Sequence, residues 1–110
     1  MISRELVAAS SIPLVLSILS FKESYGYAII KSVRSLSENE LDWTDGMLYP
    51  VLHRLEEQGW ISSVWRTAEN GRRRKYYKIT KAGLDELEKR REQWAKVNLA
   101  LERIWSQLED

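Results

Sequence analysis

Apolar residues recur at helical spacing in three successive stretches, then alternate, then return to helical spacing for the rest of the chain. Residues 5–20 read as a first helix with Leu14, Ile18 and Leu19 on one side. Pro13 is expected to kink that helix or mark its true start, because it lacks the amide for an interior hydrogen bond. A second helix is expected from about Ser24, which serves as its N-cap, with Gly26, Ile29, Val33 and Leu36 at helical spacing. The polar run "SENELDW" ends it. In "TDGMLYPVLHRLEEQG", Thr44 or Asp45 can cap a third helix and Gly59 stops it. Leu48, Val51, Leu52 and Leu55 give it one apolar face, and Thr44, Tyr49, Pro50, His53 and Arg54 lie opposite. The bond that Pro50 forfeits would have gone to Gly46, near the flexible start of the helix.

The period then changes. "WISSVWR" and "RKYYKIT" are rich in β-branched and aromatic residues, and the Asn-Gly between them signals a turn, so a two-stranded hairpin is predicted. Tyr76 and Tyr77 must point to opposite faces of the second strand, one to the core and one outward. Thr80 caps a final long helix. Along it Leu84, Leu87, Arg91, Trp94, Asn98, Leu101, Trp105 and Leu108 follow an alternating three–four spacing, the a/d seam of a coiled coil, broadened by Val97 and Ile104. Nothing else in so short a chain covers that helix, which implies self-association through Leu87, Arg91, Trp94, Val97, Leu101, Ile104, Trp105 and Leu108. Asn98 at an a position would fix the register.

At 110 residues the chain is a single small domain, thin as an isolated monomer. It contains no cysteine and one histidine, which excludes a disulfide framework and a thiolate metal site and leaves catalytic metal chemistry poorly supplied. No metal or other cofactor is expected. The apolar stretch at residues 6–21 reads as a core helix rather than a signal peptide or membrane span, so no membrane partner and a cytoplasmic location are expected.

Charge sharpens the reading. The net charge is only +1, yet residues 1–59 sum to −3, residues 60–81 to +6 and residues 82–110 to −2. The basic block holds Arg66, Arg72, Arg73, Arg74, Lys75, Lys78 and Lys81 against Glu69 alone, the electrostatic footprint of a polyanion partner. Three helices followed by a hairpin make a mainly α, α+β fold: a winged helix-turn-helix with a long C-terminal dimerisation helix. Residues 1–80 would form the DNA-binding domain, with an N-terminal helix that can join the dimer interface, and residues 81–110 the dimerisation helix. In this architecture helix three enters the major groove and the wing follows the phosphates of double-stranded DNA. The candidate DNA contacts are Thr44, Gly46, Met47, Tyr49, Pro50 and His53 on helix three, and Arg72, Arg73, Arg74, Lys75 and Tyr76 on the wing. Ser24 and Lys31 join them if the start of helix two meets a phosphate.

"MLYPVLHRLEEQGWISSVW", followed by "GRRRKYYKIT" and "AG", resembles the PadR family of transcriptional regulators, and so do "YGYAIIKSV" and a last helix carrying Trp94. The resemblance covers nearly the whole chain. It implies a dimeric repressor on a two-fold-related operator. The single C-terminal helix is similar to a compact subfamily, some of whose members sense flat hydrophobic compounds in a pore at the dimer centre. Trp94 matches the tryptophan that lines that pore, and Asn98, Ala9, Ile12, Pro13 and Leu16 match other lining positions, which implies a planar hydrophobic small molecule as effector. Met47 departs from the family's small hydroxylated residue before Leu-Tyr, and Pro13 from its ordinary helical residue. A winged-helix adapter that binds protein or small molecules without specific DNA recognition is the competing reading, which the arginine run opposes. An enzyme is the poorest fit, because Glu38, Glu40, Asp42 and Asp45 have no base or nucleophile beside them.

Overall fold

The first helix, α1 (Arg4–Phe21), begins where the Ser3 hydroxyl accepts a hydrogen bond from the Leu6 amide at 3.2 Å. The structure, a computed structural model, describes residues 2–109. α1 runs through Pro13 without interruption, so Pro13 does not mark a late start. The carbonyl that Pro13 leaves without its helical donor belongs to Ala9, which is exposed and can be satisfied by water. By length and composition α1 could cross a membrane, contrary to the sequence reading; here Val15, Leu16, Ile18 and Leu19 bury its inner side in the protein core.

Ser24 corrects a second expectation. It does not cap a helix; with Tyr25 it forms a short strand, β1 (Ser24–Tyr25), and α2 (Gly26–Leu36) starts only at Gly26, with no side-chain cap. Ile29, Ile30 and Val33 face the core, while Leu36, expected on that face, is exposed. α3 (Asp45–Glu57) follows, with Thr44 as its N-cap residue but with no hydrogen bond from that side chain. Leu48, Val51, Leu52 and Leu55 are buried, as their spacing predicts. Gly59 takes the left-handed conformation (φ 76°) and ends the helix, where the missing Cβ removes the strain.

β2 (Ile61–Thr67) and β3 (Arg73–Ile79) form the hairpin, turned at Gly71 (φ 83°). The sheet has three strands rather than two, in the order β1-β3-β2, all antiparallel. β3 is therefore central, with Ser24 and Ser63 opposite Tyr77, and Tyr25 and Val64 opposite Tyr76. α4 (Lys81–Leu108) starts at Thr80, whose hydroxyl accepts from the Gly83 amide at 3.1 Å. Leu87 joins the core formed by α1, α2, α3 and the sheet, and the helix beyond Arg90 is exposed, giving a molecule 60 Å long and 21 Å thick.

Tyr77 is the largest fully buried side chain. Its phenol is pushed up to about 12 from an ordinary 10, by burial first, then by the nearby Glu56 carboxylate and Tyr49. The folded state thus holds the Tyr77 proton over a range in which the unfolded chain releases it. That contribution is complete below about pH 10 and is lost as pH rises towards 12. The urea midpoint of the wild type should fall over this interval, and in Tyr77→Phe it should fall less steeply; parallel pH profiles would remove Tyr77 as the cause.

Candidate nucleic-acid interface

α3 turns its apolar positions inward, so Thr44, Gly46, Met47, Tyr49, Pro50 and His53 are all exposed on the opposite side. Tyr49 is 40% exposed, and its hydroxyl lies over Gly26, where a Cβ would stand 2.6 Å from it. The first residue of α2 is thus a platform for the largest side chain on the outer face of α3.

The wing follows from strand alternation. On β3, Tyr77 and Ile79 pack inward, and Arg73 and Lys75 continue the same face past the edge of the core. Arg74, Tyr76 and Lys78 take the other face. At the tip the Asn70 side chain accepts from the Arg72 amide at 3.1 Å, and the Ala68 amide donates to the Arg72 carbonyl at 2.7 Å. Arg73 lies 5.4 Å from the Trp65 ring, and Lys75 reaches Glu56 at 3.6 Å. On the other face Arg74 stacks 4.4 Å from the ring of Tyr25, which meets Tyr76 edge-on at 5.5 Å. Arg66 pairs with Glu23 and lies over Tyr76. Between α3 and the wing opens a cleft of about 540 Å³, lined by Tyr49, Trp65, Tyr27 and the run Arg72–Lys75. The Tyr49 hydroxyl from α3 and four cations from the wing, Arg72 at its turn and Arg73, Arg74 and Lys75 on β3, therefore converge on one concave surface, which suits a phosphate-bearing duplex.

The remaining sites are less uniform. Ser24 is buried in β1 and presents no helix cap, and Lys31 is exposed beside the ring of Tyr27. Pro13 and Trp94 meet with Ser10, Leu14 and Ser17 around a shallow depression of about 180 Å³. Ala9 and Asn98 are exposed outside that lining, Ile12 is half-buried, and Leu16 is fully buried and offers it no surface. A wider groove of about 640 Å³ lies between the start of α1 and α3, around Ile2, Trp43 and Met47, with none of the expected effector-binding residues in its lining. Along α4, Leu87 is buried in the protein's own core, whereas Arg91, Trp94, Val97, Leu101, Ile104, Trp105 and Leu108 are exposed.

Three elements of the interface are absent from the sequence reading: β1, the Arg74–Tyr25 stack that it permits, and the seat of Tyr49 on Gly26. β1 is two residues long, too short to show a period. The one available signal is the aromatic and glycine sequence "YGY", which apolar spacing assigns to helix.

A family model described as the transcriptional regulator PadR-like family matches residues 15–89. An uncharacterised protein of Lysinibacillus sphaericus is 27% identical over 109 residues, covering 99% of this chain and 100% of that protein. The transcriptional regulator YqjI of Escherichia coli is 37% identical over 90 residues, which span 82% of this chain but only 40% of YqjI. Among solved structures, a transcriptional regulator from Clostridium thermocellum superposes with a TM-score of 0.84 at 29% identity, covering 94% of this chain and 97% of that one. A PadR family transcription regulator from Clostridium difficile gives 0.77 at 33% identity, covering 86% and 97%.

The seat of Tyr49 is testable. In Gly26→Ala the new methyl displaces a flexible side chain end rather than backbone, so stability should change by less than about 1 kcal/mol. If Tyr49 reads bases, affinity for the protein's own promoter DNA should drop about tenfold with an unchanged salt slope, because phosphate contacts would be untouched. Unaltered affinity would show that Tyr49 needs no platform.

Proposed function

The chain belongs to the PadR-like family of transcriptional regulators, and from that premise we propose that it is a cytoplasmic, homodimeric repressor of a two-fold-related operator. It is a regulator of DNA-binding type and not an enzyme. The observation that carries the finer reading is the cleft between α3 and the wing, where Tyr49 and Arg72–Lys75 share one surface. In this reading residues 1–80 dock on DNA through α3 and the wing. Residues 81–110 join two copies through the exposed seam of α4, with the N-terminal helix against it. Thr44, Gly46, Met47, Tyr49, Pro50 and His53 face bases, while Arg72, Arg73 and Lys75 face phosphates. Arg74 and Tyr76 brace the wing through Tyr25 as well as adding charge.

An effector is a second reading, supported by the depression at Pro13 and Trp94, which lies where α1 faces the exposed part of α4. In a dimer closed through α4, a planar apolar compound stacked on Trp94 would alter how two copies approach, and so the spacing of the two α3 helices.

The first test is a titration against the protein's own promoter fragment at several salt concentrations, beside the variant Arg72→Ala/Arg73→Ala/Arg74→Ala. The wild type should prefer the promoter over random DNA with a steep salt slope, and the variant's slope should be shallower by about 0.9 for each phosphate it no longer neutralises. Equal, negligible binding by both would end the repressor reading and favour an adapter. For the effector, planar aromatic compounds should quench tryptophan fluorescence in the wild type and not in Trp94→Ala. Silence across a broad panel would leave Trp94 as dimer packing alone.

A further inference from the structure

Two residues, Gly59 and Trp60, end the recognition helix, open the wing and carry the start of α4. The Gly59 and Trp60 amides close α3 on the Glu56 and Leu55 carbonyls, each at 3.0 Å. The carbonyls of the same two residues then receive the Thr80 side chain and backbone: the hydroxyl donates to Gly59 at 2.7 Å and the amide to Trp60 at 3.0 Å. The Thr80 hydroxyl also accepts from the Gly83 amide, so one oxygen ties the end of α3 to the first turn of α4. Gly83 sits directly on this junction. A Cβ there would stand 2.0 Å from the Trp60 carbonyl oxygen and 2.8 Å from Ile79, closer than any such contact allows. Two turns on, Arg90 is held by Glu86 at 2.8 Å and lies 5.3 Å from the Trp60 ring. The base of α4 is therefore seated on the backbone and ring of Trp60.

We propose that Thr80 and Gly83 are positioning residues for operator recognition: they set the angle at which α4 leaves the end of α3, and so the separation of the two recognition helices in the dimer. The proposal rests on the reading that two copies pair through α4. Leverage is what makes the junction matter. α4 is 28 residues long, about 42 Å at 1.5 Å per residue. A tilt of about 10° at its base displaces its far end by about 7 Å, roughly two base-pair steps. Half-sites one turn apart demand centres about 34–36 Å from each other. A glycine that permits backbone contact, and a threonine that bonds both sides of it, hold the angle without a large packing area.

The chain has no cysteine, so His53→Cys places a single spin label on each α3, and pulsed dipolar spectroscopy of the DNA-free full chain reads the distance between the two copies. Into this background come Thr80→Ser, Thr80→Val and Gly83→Ala. The parent and Thr80→Ser should share one narrow distance; Thr80→Val and Gly83→Ala should shift or broaden it by about 3 Å or more. On DNA, with His53 restored, those two variants should lose at least tenfold affinity for the native promoter site and regain it on sites whose half-site spacing is changed by one or two base pairs. Binding to random DNA should stay within twofold. Unchanged distances and unchanged spacing preference would overturn the proposal, and should Gly83→Ala not fold, Thr80→Val decides alone. Absence of any interlabel distance in the parent would instead remove pairing itself, and this proposal with it.

Discussion

The alternation of side chains on β3 is the constraint on which the rest of the molecule depends. Tyr77 and Ile79 enter the core from the central strand, and the same face carries Arg73 and Lys75 beyond the edge of that core towards α3. A slip of one residue would drive Tyr76 and Lys78 inward and expel Tyr77, so a large apolar term fixes the register. The surface ion pairs cannot do this, because exposed pairs contribute only about 0–1 kcal/mol each. Burial of Tyr77 beside Glu56 and Tyr49 ties the wing to α3. The cleft between them is in this sense a product of packing, with charge distributed onto a frame that packing has already set.

That distribution has two parts. Arg66 pairs with Glu23, Arg74 stacks on Tyr25, Lys75 meets Glu56 and Lys81 meets Asp85 at 3.5 Å. Among the described residues no ion pair engages Arg72 or Arg73, which occupy the tip of the wing and its approach. The basic stretch therefore grades from cations held by a carboxylate or a ring, with Arg73 on Trp65 among them, to Arg72 and Lys78, which are exposed and, among the described residues, engaged by neither. A cation stacked on a ring keeps its charge, so even the held set contributes to the field felt by a polyanion.

What the sequence revealed follows how far each feature depends on period. α3, the hairpin and the helix after Thr80 repeat an apolar pattern over enough residues to be read, and the outward face of α3 follows from its inward one. The concentration of arginines needs only counting. β1 could not be found this way, because two residues have no period and Ser24 suits a helix cap as well as a strand. Pro13 misleads because the cost of proline depends on whether the orphaned carbonyl reaches water, which is a tertiary fact. The seats of Tyr49 on Gly26 and of Gly83 on Trp60 are equally tertiary. Each glycine is explained by a residue far away in sequence.

α4 shows how the two kinds of information combine. Its seam is legible from spacing, and the structure adds that only the first turns are covered by the chain's own core, through Leu87. Trp94, Val97, Leu101, Ile104, Trp105 and Leu108 together expose far more apolar surface than scattered single residues would. Arg91 and Asn98 interrupt that surface at seam positions, where polar residues would penalise alternative registers in the proposed dimer. If two copies pair through this seam as proposed, a single register would matter for a geometric reason. The base of α4 is bonded to the end of α3 through Thr80 and Gly59, so in the proposed dimer a slip or tilt along the seam would be passed to the outer face of α3. In the proposed dimer, stiffness at the junction and uniqueness at the seam would be two halves of one requirement, since either alone would leave the distance between the two α3 helices undefined.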